Sequence, residues 1–185
     1  MLRKSVKILS VFAVLSVILT IFVACNDNKP VQQTTYADRK QKKDSLDAMN
    51  RRFVAREKEA INDYINHCNV DFVETGTGLC YYIKNQGDSV LIKTGDIVCL
   101  DYKVKLLNGD LIYSSEESGR KVFVVGHGGV ESGLEEAVLH LHKGDEVEII
   151  IPSRLAHGLI GDGNRIPPRA TIVYEVKVIE NQTNN

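Results

Sequence analysis

No charge of either sign dominates this chain: 23 Lys and Arg stand against 24 Asp and Glu in 185 residues, a formal net charge of −1. That balance supplies no basic field for phosphates, so no nucleic-acid partner is expected. There is no Cys-x-x-Cys, so Cys25, Cys68, Cys80 and Cys99 fit no zinc spacing. Gly-x-Ser-x-Gly, His-Glu-x-x-His and Gly-x-x-x-x-Gly-Lys are also missing, which removes the nucleophile-elbow hydrolases, the zincins and the phosphate-loop enzymes. His140 and His142 flank Leu141, but alternate positions offer only two ligands, and they read as exposed loop histidines. No metal and no cofactor is expected. There is no internal repeat and no long low-complexity segment. The length suits one ordinary domain with an extension.

What is present begins with a charged start, Arg3, Lys4 and Lys7, followed by sixteen residues without charge, Ile8 to Val23. That run is long for a signal core and short for a membrane span of about 20 residues. Val23-Ala24-Cys25 then resembles a lipobox, with Phe22 where leucine is usual. The resemblance implies a lipoprotein signal peptide over 1–24, removed before a lipidated Cys25. An uncleaved anchor helix is the alternative, and either places the rest of the chain outside the cytoplasm. Acyl chains on Cys25 anchor firmly, since each buried CH₂ contributes about 0.8 kcal/mol. Loss of residues 1–24 takes three basic residues and leaves 20 basic against 24 acidic, a net of −4. Such a body has no basic patch for anionic lipid. Of Cys68, Cys80 and Cys99, three thiols cannot all pair internally, and they read as small buried apolar groups.

Residues 25–35 are polar and read as a tether. The stretch 36–73 is a helical segment, with no Gly or Pro and many charged residues between Tyr36 and Cys68. Leu46, Met49, Phe53, Ile61, Tyr64, Ile65 and Cys68 form a narrow apolar stripe that lapses over Ala55 to Ala60. The stripe could dock on the domain that follows or pair with a second copy; the lapse favours docking.

Over 74–182 the texture becomes that of a sheet. Val98, Leu100, Tyr102, Val104 and Leu106 alternate with Cys99, Asp101, Lys103 and Lys105, a half-buried strand. Asn108-Gly109 signals a hairpin turn. Strand-like runs recur at 121–125, 145–151 and 171–180. One short helix is expected near 133–140, announced by Ser132 and Glu135 in a capping-box pattern. The fold class is α+β: an antiparallel sheet wrapped on one short helix, preceded by a long N-terminal helix.

The most informative feature is an ordered series of short motifs. Tyr102 is followed by Leu107-Asn108-Gly109-Asp110-Leu111-Ile112-Tyr113-Ser114-Ser115, then Phe123-Val124-Val125-Gly126 and Val130-Glu131-Ser132-Gly133-Leu134-Glu135-Glu136-Ala137. Next come Lys143-Gly144-Asp145-Glu146, Ile151-Pro152, Ala156-His157-Gly158 and Ile166-Pro167-Pro168-Arg169-Ala170-Thr171. In order and spacing, residues 74–180 resemble the FKBP family of peptidyl-prolyl isomerases, and the whole chain resembles FKBP-like lipoproteins, including gliding-motility-associated ones. The chemistry needs no nucleophile. An Xaa-Pro amide rotates over a barrier of roughly 18–20 kcal/mol raised by amide resonance. A dry apolar cup disfavours the charge-separated resonance form, and backbone N–H groups hold the peptide twisted.

The resemblance implies a site residue by residue. Tyr102, Val130, Leu134, Ile166, Tyr174 and Phe123 match the walls and floor of the family's pocket. Ile112 stands where a wall phenylalanine is usual, and Tyr113 where an aspartate orients the substrate carbonyl region. Lys121 replaces a phenylalanine. Glu131 replaces an isoleucine whose backbone N–H holds substrate, which puts a charge at the rim. His157 replaces a flap tyrosine that donates to substrate. The expected activity is a weak isomerase acting on Xaa-Pro segments of exported proteins, with a non-catalytic binding module or envelope-complex lipoprotein as the alternative. The expected place is the cell envelope, lipid-anchored at the outer membrane through Cys25, with the domain facing the periplasm or the cell surface.

Overall fold

The computed structural model describes residues 35–87 and 90–179. The expected signal peptide 1–24, Cys25 and all of the expected tether but Thr35 lie outside them. Two compact units divide the chain, Met1–Asp47 and Ala48–Asn185. Described residues of the first, 35–47, form the opening turns of a helix, α1, that spans Tyr36–Cys68. Its start is fixed by Thr35, whose backbone N–H donates to Asp38 Oδ2 at 3.2 Å, the return half of a capping box. It ends at Asn69, held at a left-handed φ of 52°. No helix among the described residues is long and apolar enough to cross a membrane.

The second unit contains the sheet: β1 Val73–Glu74, β2 Cys80–Asn85, β3 Ile97–Leu106, β4 Leu111–Ser114, β5 Lys121–Val124, β6 Glu146–Ile151 and β7 Ile172–Ile179. Every pairing is antiparallel. The order is β1-β2-β6-β7-β3-β4, with β5 beside the first half of β3. Period two in β3 works as expected: Val98, Leu100, Tyr102 and Val104 enter the core, while Asp101, Lys103 and Lys105 do not. The β3–β4 turn closes where Asn108-Gly109 signals it. Gly109 takes φ 91°, its N–H reaches Leu106 O at 2.9 Å, and Asn108 Oδ1 accepts from Asp110 N at 3.1 Å.

The short helix, α3, covers Ser132–Val138 and buries Leu134, Ala137 and Val138 against Ile149, Ile151, Ile172 and Tyr174. Gly133 permits that approach, because a Cβ there would stand 2.3 Å from Ile151 Cγ2. Two details differ from expectation. Ser132 does not cap α3: Glu131 occupies the N-cap, Ser132 Oγ donates to Leu155 O at 3.2 Å, and Glu135 accepts instead from Gly128 N at 2.8 Å. A second short helix, α2, occupies Ser115–Ser118, capped by Ser114, whose side chain accepts from Glu117 N.

Within the second unit α1 docks on the sheet. Ile61 packs with Cys80, Ile150 and Val173, flanked by Tyr64, Ile65, Phe72 and Leu107. Ile150 and Val173 alternate with Ile149 and Tyr174, so this is the sheet face opposite α3. Leu46 and Met49 remain exposed. Cys68, Cys80 and Cys99 are free thiols, the last two buried. Burial pushes the Cys80 thiol up to about 11.

Candidate active site

The residues expected to line a pocket converge from five elements. Tyr102 comes from β3, Phe123 from β5, Tyr174 from β7, Leu134 from α3 and Ile166 from the loop before β7, all within one buried cluster. Ile112 and Tyr113 of β4, with Val130 ahead of α3, pack against its edge. The rings of Tyr102 and Tyr174 lie 6.0 Å apart and tilted by 48°. Residues 156–170 form a flap over this end, between a 3-10 turn at Ser153–Leu155 and β7. Gly161 sits inside it at φ 73°, where a Cβ would fall 2.2 Å from Ile166 O. The flap therefore closes on itself only around glycine.

Glu131 does not stand as a charge at the rim. Its side chain is 9% exposed and lies within a partly buried polar group. Tyr174 donates its O–H to Glu131 Oε1 at 2.9 Å, Lys121 Nζ stands 3.4 Å from Oε2, and His157 Nε2 faces Oε1 at 3.2 Å. Burial alone would raise the Glu131 pKa. Lys121, the Glu131 backbone N–H, the Tyr174 hydroxyl and His157 outweigh it and hold the carboxyl below its ordinary range. Burial and the Glu131 charge push the Tyr174 phenol far up, so it stays a donor. Lys121 Nζ also donates to Tyr174 Oη at 3.0 Å and lies over the Tyr102 and Tyr174 rings, 5.3 and 5.5 Å from their centroids. Two departures from the family pattern thus compensate each other. They also change the cup: its apolar walls remain, but an ammonium rests on the tyrosines. None of Tyr102, Phe123, Leu134, Ile166 and Tyr174 is more than 9% exposed.

The flap side holds a second polar cluster. Tyr113 donates its hydroxyl to Asp162 Oδ2 and accepts from Asn164 Nδ2 at 3.1 Å. Asp162 Oδ1 accepts from Asn164 N at 2.9 Å and Ile166 N at 2.8 Å. Arg165 stacks over the Tyr113 ring at 5.3 Å and donates to Ile112 O at 2.7 Å. A flap carboxylate, Asp162, therefore stands beside Tyr113. His157, in place of the flap tyrosine, turns its Nε2 inward to Glu131 without hydrogen-bond alignment and offers no outward hydroxyl. Leu159 and Ile160 at the flap tip are 67% and 81% exposed. Asp162, Asn164 and Arg165 escaped the sequence reading, although Gly161-Asp162-Gly163 marked a turn whose carboxylate could cap backbone N–H groups.

An antiparallel sheet packed on a short helix places the chain in the α+β class, with tyrosine walls under a glycine-containing flap and no metal-ligating cluster among the described residues. Known proteins make that class specific. The family model for FKBP-type peptidyl-prolyl cis-trans isomerase matches residues 89–179. FK506-binding protein 2 of Dictyostelium discoideum is 34% identical over 100 residues, which are 52% of this chain and 75% of that protein. A probable FKBP-type peptidyl-prolyl cis-trans isomerase FkpA of Neisseria meningitidis is 36% identical over 107 residues, 57% of this chain and 39% of the relative. The FKBP-type 22 kDa peptidyl-prolyl cis-trans isomerase of Escherichia coli is also 36% identical over 107 residues, 51% of its length. This chain therefore spans about half or less of those two bacterial relatives. Among solved structures, FkpA from Escherichia coli superposes with a TM-score of 0.60 at 22% identity over 91% of this chain and 80% of that one. AtFKBP13 gives 0.57 at 26% identity over 60% and 98%. The chain belongs to the FKBP family.

Proposed function

We propose that this protein catalyses, slowly, the cis–trans isomerisation of Xaa-Pro bonds in exported proteins. The observation that carries the reading is the set of aromatic and aliphatic walls, Tyr102, Phe123, Leu134, Ile166 and Tyr174, gathered under the flap. In this mechanism the proline ring displaces the Lys121 ammonium and rests between the tyrosines, edged by Ile112 and Val130. The dry surround weakens amide resonance, and the backbone N–H of Glu131 leaves its own carboxylate to hold the peptide carbonyl. The Tyr113–Asp162 pair and His157 stand where the family's polar contacts act. Each neutral hydrogen bond contributes about 0.5–1.5 kcal/mol, so two lost in the transition state slow the reaction roughly tenfold to a hundredfold. The Lys121–Glu131 pair favours a second reading, a binding module that grips apolar segments, or an envelope partner, without turnover.

A protease-coupled assay on Leu-Pro and Phe-Pro peptides separates the two. Weak acceleration above the uncatalysed rate is expected. A rate equal to the uncatalysed one, with an unfolded proline-rich peptide still bound, rejects the enzyme and leaves the module.

The reading includes a lipid anchor on Cys25 after loss of residues 1–24, which holds the domain at the cell envelope, at the outer membrane, facing the periplasm or the surface. The charged start and Val23-Ala24-Cys25 support it. Metabolic labelling with a fatty acid should mark the wild type and not Cys25→Ser; equal labelling of the two rules the anchor out.

A further inference from the structure

The apolar stripe of α1 lapses at Ala55 to Ala60, yet the middle of that lapse is a buried contact. Glu57 is 9% exposed. Its Oε1 accepts from Ser153 N at 2.7 Å and from Thr171 Oγ1 at 2.8 Å. Ser153 opens the 3-10 turn that leads into the flap, and Thr171 is the last residue before β7. One carboxylate oxygen thus ties together the two stems of the loop that contains His157, Asp162 and Ile166. The turns of α1 on either side reinforce it. Phe53, four residues earlier, packs under the Arg169 guanidinium at 4.8 Å, and Arg169 N closes the flap by donating to Gly158 O at 2.8 Å. Ile61, four residues later, is anchored in the cluster with Ile150 and Val173. Positions 53, 57 and 61 share one face of the helix.

We propose that Glu57 is a positioning residue: from outside the pocket, α1 clamps both flap stems and sets the order of the flap over the site. A helix used only to cover apolar surface needs no carboxylate here. Burying one is costly without partners, and both of its partners are flap stems. The role in turnover rests on the isomerase reading, but the clamp itself is measurable without it.

The experiment is amide hydrogen exchange by mass spectrometry on the full chain, comparing wild type, Glu57→Ala and Glu57→Gln. Loss of a charge-assisted contact should raise exchange of 156–166 about tenfold or more in Glu57→Ala, with β3 and β6 unchanged. Glu57→Gln keeps a carbonyl acceptor without the charge and should give a rise clearly smaller than that of Glu57→Ala. Thr171→Val removes one bond alone and should give an intermediate rise; it decides the matter if the alanine variant does not fold. Flap exchange that is unchanged, or a rise spread evenly over the sheet, overturns the clamp. In the isomerase assay Glu57→Ala should raise KM more than it lowers kcat. A wild type without turnover defeats the isomerase reading and leaves the exchange result to judge the clamp.

Discussion

Replacing Lys121 by methionine should destabilise the protein by about 2–3 kcal/mol, and adding Glu131→Ile should restore most of that loss. The single change leaves a buried carboxylate without its cation, a situation that typically costs about 3–5 kcal/mol, reduced here to the lower figure because Tyr174 and His157 remain. The double change swaps an ion pair for apolar volume, often a neutral exchange, so recovery falls short only by the hydrogen bonds that the buried Tyr174 hydroxyl loses to both side chains. It also clears the ammonium from the tyrosine rings, so the double variant should isomerise Leu-Pro peptides about tenfold faster than wild type, an effect of roughly 1.4 kcal/mol. Urea denaturation and the coupled assay read both arms. Equal stability of the single and double variants means the pair is not a unit; an unchanged rate means Lys121 does not obstruct the cup. The pair also sets an acid limit. Glu131 is depressed in the folded state, so its contribution is complete above its unfolded pKa and is lost as pH falls through the ordinary carboxylate value toward the lower folded one. The wild type should therefore lose stability over that interval relative to Glu131→Gln.

Leu134→Ala should cost about 3–4 kcal/mol, because Leu134 is fully buried between α3 and the sheet and its removal leaves a cavity under Tyr174. Leu134→Met, nearly equal in volume, should cost under about 1.5 kcal/mol. The comparison matters because this side chain is at once the floor of the proposed cup and part of the core. An alanine variant as stable as the methionine one would mean that the floor is not packed as described.

The sequence made visible those elements whose burial is apolar and periodic. The nine-residue alternation of 98–106 became β3 with one residue added, and the Gly- and Pro-free run became α1 with the bounds expected. β2 carried no such signal: Cys80, Tyr81, Tyr82 and Ile83 are all at least half-buried, because α1 and Phe72 cover one face and the core the other, so polarity does not alternate. The lapse in the α1 stripe was real in hydropathy and misleading in packing, since Glu57 docks by hydrogen bonds. At the site, each departure could be read singly. That Lys121 and Glu131 answer each other could not, because β5 and the N-cap of α3 meet only when the sheet closes. The pairing of Tyr113 with the flap carboxylate of Asp162 was hidden for the same reason: the two lie 49 positions apart and meet only in the folded chain.

The placement of β7 has a consequence for how the protein is made. β7 lies between β6 and β3 and pairs with both along nearly its whole length, yet it comes last in sequence among the described strands. Until residues 172–179 have emerged, the strands on its two sides share no partner and Tyr174 is missing from the core. The two most extensive strand pairings of the sheet thus wait for residues 172–179, a non-local arrangement that folds slowly. A chain threaded N-terminus first through a narrow channel would remain threadable until residues 172–179 followed, and would snap shut only on the far side.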